Sequence, residues 1–240
     1  MRIFKLAETK VDARGMDEFR NYLGAPIYTP SGNDAQDLIE NAGRLCYRSW
    51  SVGPNLNITR IREDQHAYIG NLIKQEHGSV LRHPSATVAF CDVSRIMTHE
   101  LVRHAAGCAY SQESGRYVRL DEIEAYFPKV FRRHPEVDRL SALFQRAVAE
   151  DEEIMREMVE IVGLNDPAMP FDLKKKYTSA IRRVALSGIN TNIVMSANHD
   201  AWRFIIKKRA TEHAEEEIKE AFERIRTSFR IWWPSIYQDI

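Results

Sequence analysis

Apolar residues in this chain recur every three to four positions over long stretches and switch to a two-residue alternation only briefly, a pattern that calls for helices interleaved with a few strands. In "DAQDLIENAGRLCYRSW" Leu38, Ile39, Ala42, Leu45 and Cys46 share one helical face. "REDQHAYIGNLIKQEHG" groups Tyr68, Ile69, Leu72 and Ile73, and Gly78 supplies a stop signal. From Pro135 to Gly163, Val137, Leu140, Phe144, Val148, Ile154, Met158 and Ile161 predict one amphipathic helix with a polar outer face. A last long helix is expected from Asn198 to Phe229. Two segments break the helical period. "SATVAFCDV", after Pro84, is rich in β-formers, and in "INTNIVMS" Ile189, Thr191, Ile193 and Met195 alternate with mostly polar neighbours, so both read as strands. Ser94 then reads as the N-cap of a helix through "RIMTHELVRH". With 240 residues and no internal repeat or low-complexity linker, one large domain is expected.

Charge narrows the function. Lys plus Arg and Asp plus Glu each number 34, a balance that argues against a general binder of nucleic acid or anionic membrane. Any anion site must be local. Cys46, Cys91 and Cys108 are odd in number and far apart, which suits a reducing compartment better than a disulfide framework, and they form no zinc-type pair. The start, "MRIFKLAETKVDARG", lacks the apolar run of a signal peptide, and no stretch is long enough to span a bilayer. The expected setting is the cytoplasm.

The common nucleotide and hydrolase fingerprints, G-x-G-x-x-G, G-x-x-x-x-G-K-[ST] and G-x-S-x-G, are absent. "HELVRH" separates His99 from His104 by five positions, about 140° on a helix, so a zinc site is not expected. Cys108 reads either as a thiol activated by Arg103 or Arg116, or as a small buried hydrophobe. On the expected last helix Trp202, Ile206, Arg209 and His213 lie within about 60° of one another, which puts an arginine and a histidine on an apolar stripe. Such a guanidinium serves either a structural ion pair, with Glu212 or a distant carboxylate, or a phosphorylated ligand. His77, before Gly78 and Ser79, reads as a helix C-terminal contact or as part of a site.

Four blocks, "HGSVLRH", "SRIMTHELVRH", "YSQESGRY" and "RATEHAEEEI", stand in the order and approximate spacing found in flavin-dependent thymidylate synthases, the ThyX family, which the chain resembles from about residue 34 onward. Residues 1–33 then read as an N-terminal extension of a single domain covering 1–240. The resemblance implies an α/β (α+β) fold of this family's type, with a mixed or antiparallel sheet and long helices. It implies a homotetramer with shared active sites, holding FAD and a uridylate, UMP or dUMP. It further implies that NADPH reduces the flavin, that methylenetetrahydrofolate donates carbon, and that neither a metal nor a cysteine nucleophile takes part. Carried over by position, Arg103, Glu100, Gln112, Glu113, Ser114, Gly115 and Arg116 match the nucleotide-binding segment, with Glu113 contributing backbone. Arg182 matches an arginine that reaches the nucleotide from another subunit. Ser79, Arg82, Arg103, His104, Ala105, Ala106, Asn198, Arg209 and His213 match flavin-contacting positions. Arg209 also matches a cation against the pyrimidine, His77 a histidine beside flavin and folate, and Ser114 a serine that orients substrate near the reacting carbon.

The chain departs from the pattern in one place. The family run is Arg-His-Arg, seven residues, then Ser; here it is Arg103, His104, Ala105, eight residues, then Ser114. Glu100 stands where Gln is common, and Arg82 where an acid is common. An extra residue turns a helix by about 100°, and Gly107 favours a break, so "GCAY" is expected to form a remodelled wall of the flavin or sugar pocket. The altered motif resembles the family branch of polyoxin-type nucleoside antibiotic biosynthesis, whose members methylate UMP. UMP is therefore the favoured substrate, with dUMP second. The competing readings are an ordinary thymidylate synthase acting on dUMP and a catalytically inactive nucleotide- or flavin-binding subunit.

Overall fold

The computed structural model describes residues 1–51, 55–119 and 123–240. In chain order the elements are β1 (Arg2–Glu8), α1 (Ala13–Tyr22), α2 (Asp34–Tyr47), α3 (Gln65–Lys74), a 3₁₀ turn (Gly78–Arg82), β2 (Ser85–Ser94), α4 (Arg95–Leu101), β3 (Cys108–Gln112), α5 (Lys129–Arg132), α6 (Val137–Ile161), α7 (Phe171–Ile181), β4 (Asn190–Asn198), α8 (His199–Arg209) and α9 (Glu216–Trp232). Asp12, Asn33, Asp64, Ser94 and Asn198 each aim a side-chain oxygen at a backbone N–H one turn into the helix that follows, satisfying donors that the helix cannot.

Among the described residues the strands form one antiparallel four-stranded sheet in the order β1-β2-β4-β3. The α/β fold with an antiparallel sheet expected from the resemblance is the one observed. The alternation read in "INTNIVMS" buries Thr191, Ile193, Met195 and Ala197 along β4. These pack with Val88 and Phe90 of β2 against Trp202, Phe222 and Phe229, and the ring of Trp202 meets that of Phe229 edge-on at 5.0 Å. A smaller cluster of Met155, Leu164 and Ile181 lies beneath α6 and α7. No helix among the described residues is long and apolar enough to cross a membrane.

Several sequence expectations need correction. The single helix from Asn198 to Phe229 is two: α8 ends at Arg209, and α9 restarts where the Glu215 carboxylate accepts from the N–H groups of Glu217 and Ile218. The break lets α9 fold back so that Phe222 and Phe229 meet Trp202. Helix α3 stops at Lys74, and the left-handed residue after it is Glu76 (φ 58°). Gly78 is needed for a different reason: a Cβ there would come within 3.0 Å of the Asp200 carboxylate. Helix α4 ends at Leu101, three residues short of His104. Helix α2 buries Gln36, Asp37, Asn41 and Arg44 and leaves Leu45 and Cys46 exposed. Those polar groups are paired: Asp37 accepts from the Tyr28 hydroxyl at 2.7 Å, and Arg44 lies 2.7 Å from Glu40 and donates to the Ser49 carbonyl. Two strands, β1 and β3, were not foreseen. The first belongs to the segment read as an extension, and it hydrogen-bonds along β2 as the sheet's edge.

Candidate active site

Helix α8 organises the candidate site, because candidate side chains lie at its start, along one flank and at its last residue. Asn198 caps it and is itself approached by Gly107, whose φ of 73° turns the chain toward β4 and whose Cβ would come 2.8 Å from Asn198 Nδ2. The turn starts β3, which pairs with β4 from Cys108↔Ala197 to Gln112↔Ile193. The inserted "GCAY" is therefore a strand start. Tyr110 fastens the preceding loop: its hydroxyl lies 2.6 Å from the His104 carbonyl and 3.2 Å from that of Leu101, and can donate to either.

That latch sets His104 against Arg209. Arg209 Nε donates to His104 Nε2 at 2.9 Å, its Nη1 lies 3.0 Å from the Glu100 carboxylate, and its Nη2 donates to the Glu100 carbonyl at 3.3 Å. A ring nitrogen that accepts must be unprotonated. Burial first, and then the neighbouring Arg209 cation, lower the His104 pKa and keep the ring neutral. Arg103 leans on the other Glu100 oxygen at 3.4 Å. The ion-pair partner of Arg209 is Glu100; Glu212 pairs with Lys219 instead. His213 lies beyond the end of α8 and is exposed, so it does not continue the stripe of Trp202, Ile206 and Arg209.

Glu100 also lines a cleft of about 510 Å³ with Arg95, His99, Gly115, Arg182 and Arg183. Glu113 orients its rim: its carboxylate accepts from the backbone N–H and side-chain amide of Asn192 at 3.1 and 2.7 Å, and its carbonyl accepts from Arg95 Nη2. Gly115 is buried because Arg182 lies on it, and a Cβ there would sit 3.0 Å from Arg182 Cδ. Arg182, expected to reach the nucleotide from another subunit, lies against Gly115 of its own chain. Burial, then the Arg182 cation, lower the Arg95 pKa, the electrostatic mark of two guanidinium groups sharing a confined space. Such a pair attracts a phosphate or carboxylate.

The fold and this pair of neighbouring clusters can be set beside known sequences. Residues 28–235 match the family described as thymidylate synthase complementing protein. The chain belongs to this family, that of the flavin-dependent thymidylate synthases. A flavin-dependent thymidylate synthase of Mycobacteroides abscessus is 34% identical over 204 residues, covering 84% of this chain and 78% of the relative. That of Corynebacterium diphtheriae is 32% identical over 222 residues, 88% and 84% of the two chains. A probable flavin-dependent thymidylate synthase of Mycobacterium phage L5 is 34% identical over 209 residues, 86% and 81%.

Three more family-type positions, His77, Ser79 and Arg82, lie on the opposite flank of α8. Ser79 and Arg82 sit in the 3₁₀ turn packed against that helix, and Arg82 donates to Asp200 at 2.8 Å. His77 lines a cavity of about 530 Å³ with Gly78, Asp200, Phe204 and Lys207. Phe204 joins the flanks, for its ring also meets His104 edge-on at 6.1 Å. Within one chain His77 faces this cavity, whereas Gly115 and Arg182 face the other. Ser114 Oγ accepts from the Arg116 N–H, Gln112 closes β3, and Arg116, Ala105 and Ala106 are exposed. Sequence reasoning placed Tyr110 only within the "GCAY" segment and missed Arg95, Phe204 and Tyr47, whose hydroxyl lies 2.5 Å from His77 Nδ1. No spacing joins Tyr47 to His77; only the approach of α2 to the 3₁₀ turn does. Cys108 is half-buried with its thiol pushed up by burial, which is the behaviour of a packed hydrophobe.

Proposed function

We propose that the protein methylates carbon 5 of a uridine monophosphate, with UMP the favoured substrate and dUMP the second. The observation that carries this reading is the fixed Arg209 guanidinium, held by neutral His104 and by Glu100 one wall away from the Arg95–Arg182 cleft. Arg182, Arg103 and Arg95 bind the phosphate, and Arg209 lies against the pyrimidine, where a preorganised cation stabilises negative charge developing on the ring. Ser114 and the Gly115 backbone orient the nucleotide, and His77 borders the reacting centre from the other flank.

The donor set fits FAD. An aromatic wall at Phe204 and the bare Cα of Gly78 suit a flat ring, and Lys74, which makes no ion pair among the described residues, is the cation left for a phosphate once Asp239 has taken Lys207. Bound flavin, reduced by NADPH, supplies the hydride, and methylenetetrahydrofolate supplies the one-carbon unit. Copies of the chain self-associate as a homotetramer, so that the His77 flank of one protomer completes the nucleotide cleft of its partner. The exposed Leu143, Ile154, Met158 and Ile161 of α6 support this assembly.

The preference for UMP rests on the altered motif, Ala105 and one residue more before Ser114, which resembles the UMP-methylating branch; residues 107–110 themselves start β3 and line neither of the two cavities. A ribose 2′-hydroxyl buried without a partner costs about 1–3 kcal/mol, so a pocket that takes UMP must be shaped for it. The test is anaerobic turnover with NADPH and methylenetetrahydrofolate, offering UMP and dUMP separately and in competition, with products identified by mass. Methylated UMP in excess is expected. Preference for dUMP would keep the methyl transfer and overturn the substrate assignment; failure to bind flavin and to methylate either nucleotide would overturn the whole reading.

A further inference from the structure

His77 has a second cavity on its other side. This one, of about 470 Å³, is walled by Tyr47, Asn57, Arg60, Arg62 and Gln75 together with His77, which among the described residues is the one wall that the two cavities share. Their charge differs. The first mixes Lys74, Arg203 and Lys207 with Glu76, Asp200 and Asp239, and its pairs are closed: Asp200 takes Arg82, and Asp239 takes Arg203 and Lys207. The second has two arginines and no carboxylate in its described wall. The nearby Glu40 is engaged by Arg44, whose Nη2 also donates to the Arg62 carbonyl at 2.7 Å and so anchors the strand of chain that carries both guanidinium groups. Neither Arg60 nor Arg62 makes a side-chain ion pair among the described residues.

Unneutralised arginines over a cleft create a local positive potential in a chain whose net charge is zero, and their fork geometry suits carboxylate or phosphate. Asn57, Asn71 and Gln75 add donors and acceptors of the kind that pair with amides. We infer that this cleft holds the anionic tail of a co-substrate whose reactive end lies at His77, and that the tail is the amide-linked glutamate chain of the one-carbon donor. Tyr47, bonded to His77, is the positioning residue at the junction. The inference rests on the proposed folate-dependent reaction but can be tested without turnover.

The experiment is calorimetric titration of the flavin-loaded protein with p-aminobenzoyl-pentaglutamate, a tail without its pteridine, and separately with 2′,5′-ADP, which carries the phosphate of NADPH. Arg60→Ala and Arg62→Ala are measured beside the wild type, with melting temperature and flavin absorbance confirming that each has folded. The tail fragment is expected to bind the wild type and to lose about tenfold in affinity in each variant, with 2′,5′-ADP unaffected. The same variants should raise KM for pentaglutamyl methylenetetrahydrofolate while kcat is held. Should Arg62→Ala fail to fold, the exposed Arg60 decides through Arg60→Glu, which must abolish tail binding. No binding of the tail to the wild type, or binding indifferent to both arginines, overturns the inference. Loss of 2′,5′-ADP binding in place of the tail overturns the folate assignment and gives the cleft to the pyridine nucleotide. If the wild type binds the tail yet forms no methylated uridylate, the site stands and the proposed reaction falls.

Discussion

Arg209 shows how a single side chain acquires a role. Its type and its place on an apolar stripe were readable, but its partner Glu100 lies 109 positions away and enters only through the fold. Arg209→Ala should lower kcat by about 10²–10³, the usual effect of removing one preorganised donor, while flavin absorbance persists. Cys108→Ser, by contrast, should keep most of the activity in the same assay, since burial holds that thiol protonated. His199 makes a pH prediction. It is fully buried between Tyr237 and Trp233, and burial, then Arg203, lower its pKa to about 3. The folded state therefore holds it neutral, whereas the unfolded chain takes up a proton near pH 6.5. Its contribution to stability is complete above about pH 6.5 and is lost as the pH falls toward 3. Urea unfolding at pH 7 and pH 5 should show about 2 kcal/mol lost from this one group, and His199→Gln should flatten that slope.

At the scale of elements, the decisive feature is the strand start made by the inserted segment. Gly107 was readable as a break, but a remodelled wall could have been loop or helix. It became β3 because β4 offered an open edge and because only glycine tolerates both a φ of 73° and the proximity of Asn198. Gly107→Ala should cost about 1–2 kcal/mol from the left-handed backbone alone, and more from the clash at Asn198 Nδ2. A lower melting temperature together with weaker flavin retention would show that the strand start and the α8 cap are one unit. An unchanged melting temperature would refute that coupling. Helix α4 illustrates the same division. Its Ser94 cap was visible in sequence, whereas the buried Glu217, which accepts from both the N–H and the hydroxyl of Ser94, comes from α9 at a separation of 123 residues.

For the whole molecule, the outward apolar face of α6 carries the argument. The sequence pattern Val137, Leu140, Phe144, Val148, Ile154, Met158 and Ile161 predicted a helix with a buried stripe, and the helix is there, but Asp151 and Met155 are its buried residues. Ile161 is 83% exposed. This stripe is the surface that the proposed self-association would cover. Sedimentation velocity should give a mass well above that of one chain, and Leu143→Lys with Ile161→Lys should shift it toward smaller species and reduce turnover together. A monomeric wild type with full activity would refute the sharing of sites between copies.

The sequence alone determined the helices with strong period, the two central strands, the helix cap at Ser94, and, through four separated blocks, the family and its candidate side chains. These are local properties: period, propensity and capping act over a few residues, and motif order survives without coordinates. Tertiary structure alone decided that the last helix breaks at Ala210, that residues 2–8 complete the sheet, that Glu100 rather than Glu212 neutralises Arg209, and that His77 stands between two cavities of unlike charge. Each of these depends on groups far apart in the chain. Burial makes an unpaired charge or an unfilled sheet edge costly, so the fold supplies partners that no local pattern specifies.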